Sequence, residues 1–423
     1  MLHKINPDQH GACGPDMISA VSTCVHCGFC LAACPTYQEI GQEAASPRGR
    51  IVLMKEVLEG TLSIDEATPH LDSCLGCLAC EPACPSGVSY RELISPFRAL
   101  IEPKRSRTWG DRFRRTVAQL TLPYPGRFRI AAMSGKLVKP FASVLPNSLR
   151  VMLDLLPVRL PPKQAWASVN PAVGTRRGRV ALLIGCAQSV LDPDINTATI
   201  DVLTRNGVEV VVPKKQTCCG ALSWHVGNHA AAQNFARQNL AAFPDDVDAI
   251  VTNAAGCGSG MHEYPVILKG TSDHDRASSF RDRVVDVSKY LAELGDLVPV
   301  ADTNQPIRVA YHDACHLANA QGVRSEPRQL LRMVPGLQLV EIADGHLCCG
   351  SAGTYNIDQP EVAASLGQQK AASVIATDAA VVATGNIGCM TQLSVHLKQA
   401  GSKIQVKHTM QVLSDAYGRS DGR

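Results

Sequence analysis

The fold is decided by two stretches of the sequence, Cys24-Val-His-Cys-Gly-Phe-Cys-Leu-Ala-Ala-Cys-Pro35 and Cys74-Leu-Gly-Cys-Leu-Ala-Cys-Glu-Pro-Ala-Cys-Pro85. Both have the spacing C-x2-C-x2-C-x3-C-P. A loop with a cysteine at every third position can direct three thiolates towards one face of an iron–sulfur cubane. The proline after the fourth cysteine then turns the chain out of the loop. Each stretch therefore predicts a metal centre.

Runs of this spacing hold 4Fe–4S clusters in bacterial two-cluster ferredoxins, where the fourth cysteine of each run ligates the cluster of the other run. This exchange brings the two clusters close together, as stepwise electron transfer requires. The predicted ligands are Cys24, Cys27, Cys30 and Cys84 for the first cluster, and Cys74, Cys77, Cys80 and Cys34 for the second.

Two other uses of these cysteines are disfavoured by the pattern. A zinc site is built from paired C-x2-C knuckles, in which the third regularly spaced cysteine and the Cys-Pro step have no role. A disulfide framework is typical of short secreted chains, whereas this chain has 423 residues and an odd number of cysteines, 17. We also expect no export, because the N-terminus has no apolar signal core.

Composition predicts a soluble globular protein of two or three domains, with 45% apolar and 19% charged residues. No run of 18 uncharged apolar residues occurs, so we expect no membrane span. Free thiolates need a reducing compartment, which indicates the cytoplasm or the cytoplasmic side of the inner membrane. Of the cysteines, eight belong to the two motifs, eight to a later repeat, and Cys13 is left over.

Helical signals dominate residues 1–97, so we expect an all-α ferredoxin domain there. Ser46 is a predicted N-cap with Pro47 at the first helical position, and Gly60 fits the end of that helix. Apolar residues of this segment repeat on one helical face and are expected to pack over the clusters. A capping box is predicted at Ser89-Tyr-Arg-Glu92, opening a further helix that Pro96 interrupts.

Residues 98–177 form a predicted basic helical connector. Residues 98–160 hold 13 Lys and Arg against three acidic residues, a net charge of +10 in a chain of net charge +3. Trp109, Phe113, Val117 and Leu120 recur at helical spacing beneath the basic residues. Two interpretations stay open: a face for an anionic membrane or an acidic subunit, or a connector that covers its own domains. No pattern indicates nucleic-acid binding.

From residue 178 strands and helices alternate, and the pattern occurs twice. Predicted strands lead to a cysteine or a Cys-Cys-Gly sequence in each half, with offsets of 129, 130 and 132 residues between equivalent cysteines. Such regular offsets predict a duplication into two α/β units, 178–300 and 301–423. Because ligands gather at the carboxyl ends of strands in open α/β sheets, each unit is expected to pool its four thiols at one site. Those thiols are Cys186, Cys218, Cys219 and Cys257 in the first unit, and Cys315, Cys348, Cys349 and Cys389 in the second.

The repeat resembles the CCG (cysteine-rich) domain of heterodisulfide reductase subunits and of several flavoenzyme-linked iron–sulfur subunits. The family element is C…CCG…C-x2-C, but Gly260 and Gln392 stand here where its last cysteine would be. The resemblance implies a redox or metal site in each unit. The missing fifth cysteine implies a simpler cluster than the five-thiolate one, or one degenerate site.

The order of parts along nearly the whole chain resembles the iron–sulfur subunits of glycolate oxidases. The resemblance rests on Cys-Val-His-Cys-Gly-Phe-Cys, Cys-Pro-Thr-Tyr-Gln, Ser-Pro-Arg-Gly-Arg-Ile, His-Leu-Asp-Ser-Cys-Leu-Gly-Cys and Cys-Pro-Ser-Gly-Val-Ser-Tyr. It implies two FAD-containing partner subunits, one of which oxidises glycolate to glyoxylate, and electrons that leave through the clusters towards quinone. The eight motif cysteines match the family's cluster ligands one for one.

Other functions remain open at this stage. Related subunits serve glycerol-3-phosphate and lactate oxidation, where the flavin partner sets the substrate. The CCG half could itself reduce a disulfide or a quinone, with His312 or His316 supplying a proton. Alternatively His225, His312 and His316 are surface or supporting groups. The sequence indicates no catalytic residues for substrate oxidation, since we find no dinucleotide-binding or P-loop motif.

Overall fold

The computed structural model describes residues 2–144, 147–157, 159–300 and 306–420. The described elements up to Asp154 are helices, and two separate sheets with helices around them follow. The first helices are Gly14–Thr23 (α1), Phe29–Ala32 (α2), Pro35–Ile40 (α3), Pro47–Glu59 (α4), Ile64–Asp72 (α5) and Arg91–Ile101 (α6), with short 3-10 turns at Pro7–His10, Glu43–Ala45 and Glu102–Lys104.

Helix α4 follows the predicted start and end. The Ser46 hydroxyl accepts a hydrogen bond from the Gly49 amide at 2.9 Å, and Gly60 ends the helix with a φ of 76°. A left-handed residue at this position is normally glycine, because a Cβ makes that conformation costly. The face carrying Met54 is fully buried in a core shared with α1, α5 and α6, including Leu71 and Leu93. This core holds the two cysteine loops in place.

The predicted capping box at Ser89 is wrong. Helix α6 begins at Arg91 with Tyr90 at its N-cap and no side-chain cap from its own segment. Instead, the Glu81 carboxylate accepts from the Arg91 amide at 2.7 Å and pairs with the Arg91 guanidinium. Pro96 lies inside the helix without ending it. The cap is supplied by the cysteine loop, a long-range contact that local sequence does not encode.

The basic segment continues with three more helices, Trp109–Thr121 (α7), Pro125–Val138 (α8) and Asn147–Asp154 (α9), and a 3-10 turn at Lys139–Val144. Some of its arginines turn inward: Arg107 pairs with Glu102 and Asp111, and Arg115 donates to the carbonyl of Val226. Phe128 and Ala132 are buried, but many large apolar side chains of this segment turn outward. The exposed ones are Trp109, Phe113, Val117 and Leu120 on α7, and Ile130, Met133, Leu137 and Val138 on α8.

The first sheet has the strand order β1-β3-β2-β4-β5 and is parallel except for β1. Strand β1 lies in the segment for which we predicted only helices, and it pairs antiparallel with β3 at the sheet edge. The elements are Val169–Asn170 (β1), Gly178–Leu183 (β2), Gln188–Leu191 (α10), Asp194–Arg205 (α11), Val208–Val211 (β3), Ala221–His225 (α12), His229–Ala242 (α13), Ala249–Thr252 (β4), Ala255–His262 (α14), Tyr264–Ile267 (α15), His274–Arg281 (α16), Val284–Asp286 (β5) and Val287–Leu294 (α17).

The second sheet has the order β7-β6-β8-β9 and is parallel throughout. It repeats the order β3-β2-β4-β5 of the first sheet, which confirms the predicted duplication. Its elements are Ile307–Tyr311 (β6), a π-helical turn His316–Ala320, Glu326–Arg332 (α18), Leu337–Glu341 (β7), Tyr355–Asp358 (α19), Pro360–Ile375 (α20), Val381–Thr384 (β8), Ile387–Gln399 (α21), Gln405–His408 (β9) and Thr409–Ser420 (α22).

The last helix ties the two units together. Met410 and Tyr417 of α22 are buried in the core of the first sheet, beside α11. The Asn206 side-chain amide donates to the Tyr417 hydroxyl at 3.2 Å, and Ser414 donates to Asp201. The two units are therefore packed directly against each other through a helix that the sequence order assigns to the second.

We expect the contribution of Asp286 to the stability of this fold to fall as pH rises from about 4 to about 7. Asp286 is buried at the end of β5, and burial raises its pKa to about 7. The folded state therefore holds a proton that the unfolded chain releases, and stability is lost as pH rises, by roughly 1 kcal/mol per pH unit. Asp286→Asn keeps an oxygen for the Ser288 amide and should be stabilising at neutral pH.

Urea unfolding of the intact protein at about pH 5.5 and about pH 8 measures this effect. The gain from Asp286→Asn should be larger at the higher pH. Asp282→Asn, which changes an exposed carboxylate of the same unit, serves as the control. An equal gain at both pH values would contradict the assignment.

Candidate metal centres

The two cysteine motifs form two loops of the same conformation. We call residues 24–35 loop 1 and residues 74–85 loop 2; equivalent residues are 50 positions apart. His26 and Gly76 have φ values of 58° and 65°, and Gly28 and Leu78 have values of 86° and 58°. His26 and Leu78 are non-glycine residues in the left-handed region, a strained conformation that persists when the surroundings impose it. The need to point three sulfurs inward accounts for this shared conformation.

The thiols of the two loops line two neighbouring cavities. The fourth cysteine of each loop lies in the cavity formed by the other loop, as the predicted exchange requires. Cys80 and Tyr90 border both cavities and form the wall between them. The cysteines of the first cavity, besides Cys80, are Cys24, Cys27, Cys30 and Cys84, and those of the second are Cys34, Cys74, Cys77 and Cys80. We call these cavities the first and the second centre.

Buried positive charge distinguishes the second centre. Arg50 is 1% exposed, and its guanidinium donates to Thr36 at 3.0 Å, to Ser73 at 2.8 Å and to the Cys34 sulfur at 3.9 Å. Burial raises the pKa of Cys74, but the charges of Arg50 and Arg98 outweigh it, so the pKa lies below its ordinary value. This environment favours a thiolate, the form that binds metal.

The remaining thiols of the second centre need a cation. Burial first, and then the charges of neighbouring thiols, raise the pKa of Cys77 and Cys80 well above the ordinary value. Several buried sulfurs can be thiolates together only if positive charge lies among them, as iron supplies. Amides and a hydroxyl also point at sulfur: Gly76 N lies 3.4 Å and Tyr90 Oη 3.8 Å from Cys74 Sγ. The donor set therefore fits an iron–sulfur cluster.

In the first CCG unit the four predicted thiols come together. The sulfurs of Cys186 and Cys218 are 3.5 Å apart. Hydrogen bonds from Cys218 and Cys257 hold the pKa of Cys219 well below its ordinary value. Gly220 follows with a φ of 82°, so the chain turns sharply behind the cysteine pair.

The second CCG unit repeats this arrangement and adds a histidine. The sulfurs of Cys315 and Cys348 are 3.9 Å apart, and Cys349 accepts from Cys348 and Cys389, which lowers its pKa well below the ordinary value. A ring nitrogen of His312 and the sulfurs of Cys349 and Cys389 all lie within 4.8 Å of one another. His312 is buried and its Nδ1 has no hydrogen-bond partner within the described chain. A buried histidine nitrogen beside two thiols fits a metal site.

Loop 2 packs against the second CCG unit. Leu75 lies in an apolar cluster with Cys348 and Tyr355, against which Cys77 also packs. The Tyr355 hydroxyl donates to the Ser73 carbonyl at 3.0 Å, and the Asn319 amide to the Cys77 carbonyl at 3.1 Å. The second centre is therefore enclosed between the N-terminal helices and the thiol site of the second CCG unit.

His225, His312 and His316 are the histidines singled out from the sequence. All three lie at or beside this contact between loop 2 and the CCG units, and none of them is exposed. His316 Nε2 lies 3.1 Å from the Gly76 carbonyl, and its ring contacts that of His225 edge-on at 5.6 Å. His312 lies within the second thiol site. Sequence reasoning missed Arg50, although it stands in the Ser-Pro-Arg-Gly-Arg-Ile segment; a basic residue between two cysteine motifs was the available signal.

Comparison with known proteins supports both the N-terminal two-cluster domain and the two CCG repeats. A family model described as a 4Fe-4S dicluster domain matches residues 20–88, and one described as a cysteine-rich domain matches residues 180–262 and 309–394. Among the described residues, no helix combines the length and apolar character needed to cross a bilayer.

Curated relatives match the chain along most of its length. The chain is 38% identical to the probable glycolate oxidase iron-sulfur subunit of Bacillus subtilis, over 93% of this chain and 94% of that protein. It is 36% identical to the glycolate oxidase iron-sulfur subunit of Escherichia coli, over 94% of both. Lactate utilization protein A of Oceanobacillus iheyensis is 29% identical over 56% of this chain and 96% of that protein.

We expect Arg50→Met to lower the reduction potential of the second centre. A unit charge several ångströms away contributes about 2 kcal/mol at an effective dielectric constant of about 20. That is on the order of 100 mV for one electron. In Arg50→Met the reduced second centre, which carries one more negative charge than the oxidised centre, loses this stabilisation. Its reduction potential therefore falls. Arg50→Lys keeps the positive charge, so the reduction potential of the second centre should stay close to that of the unaltered protein.

Redox titration followed by EPR measures both centres separately. The first centre should shift clearly less than the second in Arg50→Met, because Arg50 lines the second cavity and the interaction weakens with distance. Equal shifts of the two centres, or no shift in Arg50→Met, would contradict this role for the buried charge.

Proposed function

Since the chain belongs to the family of glycolate oxidase iron–sulfur subunits, we propose that it carries electrons from flavin-bearing subunits that oxidise glycolate to glyoxylate towards a quinone. The observation that carries this proposal is the match to two such subunits over more than nine-tenths of the chain. The adjoining pair of thiol-lined centres supplies the physical basis. When bound there, 4Fe–4S clusters supply one-electron transfer.

The chain's own residues provide the setting for this transfer. The eight motif cysteines are the proposed cluster ligands, with the fourth cysteine of each loop exchanged. Arg50, Tyr90 and the Gly76 amide place positive charge and hydrogen bonds around the second centre, which favour the reduced state. The packing of Leu75 and Tyr355 excludes water between loop 2 and the second CCG unit.

We propose that residues 1–97 are the helical two-cluster domain, 98–177 the connector, and 178–300 and 301–423 the two CCG units. The helices before residue 98 and the two separate sheets support this division, except that β1 of the proposed connector joins the first sheet. The partners in this proposal are two FAD-containing subunits of the same complex. We further propose that the complex lies on the cytoplasmic side of the inner membrane.

The outward apolar face of α7 and α8 supports peripheral membrane contact. Trp109 is 80% and Leu137 is 80% exposed, on a segment of net charge +10. Helices with one apolar face and many basic residues lie in the interface of anionic bilayers. Sedimentation of the assembled complex with anionic vesicles tests this; no binding at low salt would contradict it.

A lactate-oxidising complex is the second candidate, favoured by the match to a lactate utilization protein over about half of the chain. Because this subunit does not bind the fuel, only the assembled complex distinguishes the two. We expect glycolate to reduce the iron–sulfur centres of the anaerobically purified complex, seen as bleaching of their visible absorbance. Lactate and glycerol 3-phosphate at the same concentration should not. Reduction by lactate or by glycerol 3-phosphate, with no reduction by glycolate, would contradict glycolate as the substrate of the complex.

The thiol site of the second CCG unit is expected to lie on the electron path. Cys349→Ser should lower substrate-to-quinone electron transfer by at least about tenfold, as loss of a metal donor typically does. Iron and EPR signals of the first two centres should be unchanged. Cys13→Ser, which alters the cysteine outside all four thiol groups, should leave the flux as it was. Full flux in Cys349→Ser would exclude the second CCG site from the path.

A further inference from the structure

The two cysteine loops present equivalent faces to different surroundings. In loop 2, Leu75 and Ala79 are 6% and 8% exposed, and Leu75 packs against the second CCG unit. Their equivalents in loop 1 are Val25 and Phe29, which are 64% and 67% exposed. Cys27 is exposed as well, whereas its equivalent, Cys77, lies beside Cys315 and Cys348.

Loop 2, whose apolar side chains are covered, shows what kind of surface can pack against the equivalent face of loop 1. Loop 2 packs against an apolar surface of the second CCG unit. This contact places the thiol site of that unit beside Cys77. A similar loop conformation, with Val25 in place of Leu75 and the larger Phe29 in place of Ala79, is left open around Cys27. Large exposed apolar side chains beside a redox centre lose free energy in water and gain it when a partner covers them. Aromatic residues at the middle of an interface also contribute most of its binding energy.

The rim of this face favours a protein partner over an anionic lipid surface. Residues 24–30 carry no acidic or basic side chain other than His26. The nearby Arg48 donates to the His26 carbonyl at 3.0 Å and is paired with Glu43. A small apolar patch with a balanced rim is typical of electron-transfer encounters, whose interfaces are compact.

We propose that Val25, Cys27 and Phe29 form the docking surface of the electron-donating flavoprotein subunit. This inference rests on the proposed function and adds to it the direction of flow: electrons enter at the first centre and leave from the second towards the second CCG unit. Each reduced flavin gives up two electrons, which cross this surface one at a time, and its protons pass to solvent. The quinone takes up two electrons and two protons at the far end.

The test uses the complete complex, purified anaerobically through a tag on this chain. The variant Val25→Ala/Phe29→Ala is compared with the matched control Val173→Ala/Met333→Ala, which also removes two exposed apolar side chains but lies outside every proposed contact surface. Dithionite should reduce both centres in both variants as in the unaltered complex. Glycolate-driven reduction should slow by about tenfold or more only in the first, as loss of an interface anchor predicts.

A second measurement needs no variant. Amide hydrogen exchange of residues 25–29 should be slower in the complex than in the full chain alone, while residues 109–120 should not change. Unaltered glycolate-driven reduction in Val25→Ala/Phe29→Ala, or protection of 109–120 instead of 25–29, would overturn the assignment. Failure of glycolate to reduce the unaltered complex would count against the proposed fuel, and the exchange result would still decide the docking site.

Discussion

Each cysteine loop contributes its fourth cysteine to the cavity lined by the other loop, and this reciprocal contact is the constraint on which the rest of the structure depends. Cys34 and Cys84 lie in the cavities formed by the opposite loops, so neither centre has four thiols without both loops in place. The helical core around Met54 and Leu93 holds the loops at the required separation. Folding of the first 97 residues and assembly of the centres are therefore coupled, as is common where a metal site is absent from the unfolded chain.

The same constraint explains the unequal surroundings of the two centres. Burying several thiolates is costly unless cations and hydrogen bonds compensate their charge. At the second centre the fully buried Arg50 supplies part of this compensation, and loop 2 is sealed by Tyr355 and His316. The first centre keeps an open side at Cys27. A chain with one open and one enclosed centre is suited to take electrons from outside and pass them inward.

Much of this architecture could be predicted from the sequence, because its signals are local or periodic. The cysteine spacing, the helix from Pro47 to Glu59 and the duplicated α/β units are of this kind. The predictions that were wrong or incomplete concern long-range contacts. Glu81 caps α6 from within loop 2, and β1 adds to a sheet edge by pairing with a strand about 40 residues away. Arg107 of the connector pairs inward with acidic residues, whereas Trp109 and Phe113 are exposed; periodicity alone does not say which face of a helix is covered.

The exchange of the fourth cysteine is tested most directly by EPR of the reduced, oxygen-protected protein carrying Cys34→Ser or Cys84→Ser. Cys34→Ser should alter the signal and potential of the centre held by loop 2, and Cys84→Ser those of the centre held by loop 1. Arg50→Met, which is expected to shift the second centre more than the first, identifies which signal is which. If each serine instead altered the centre of its own loop, or if neither altered any signal, the reciprocal arrangement and the electron path built on it would be wrong.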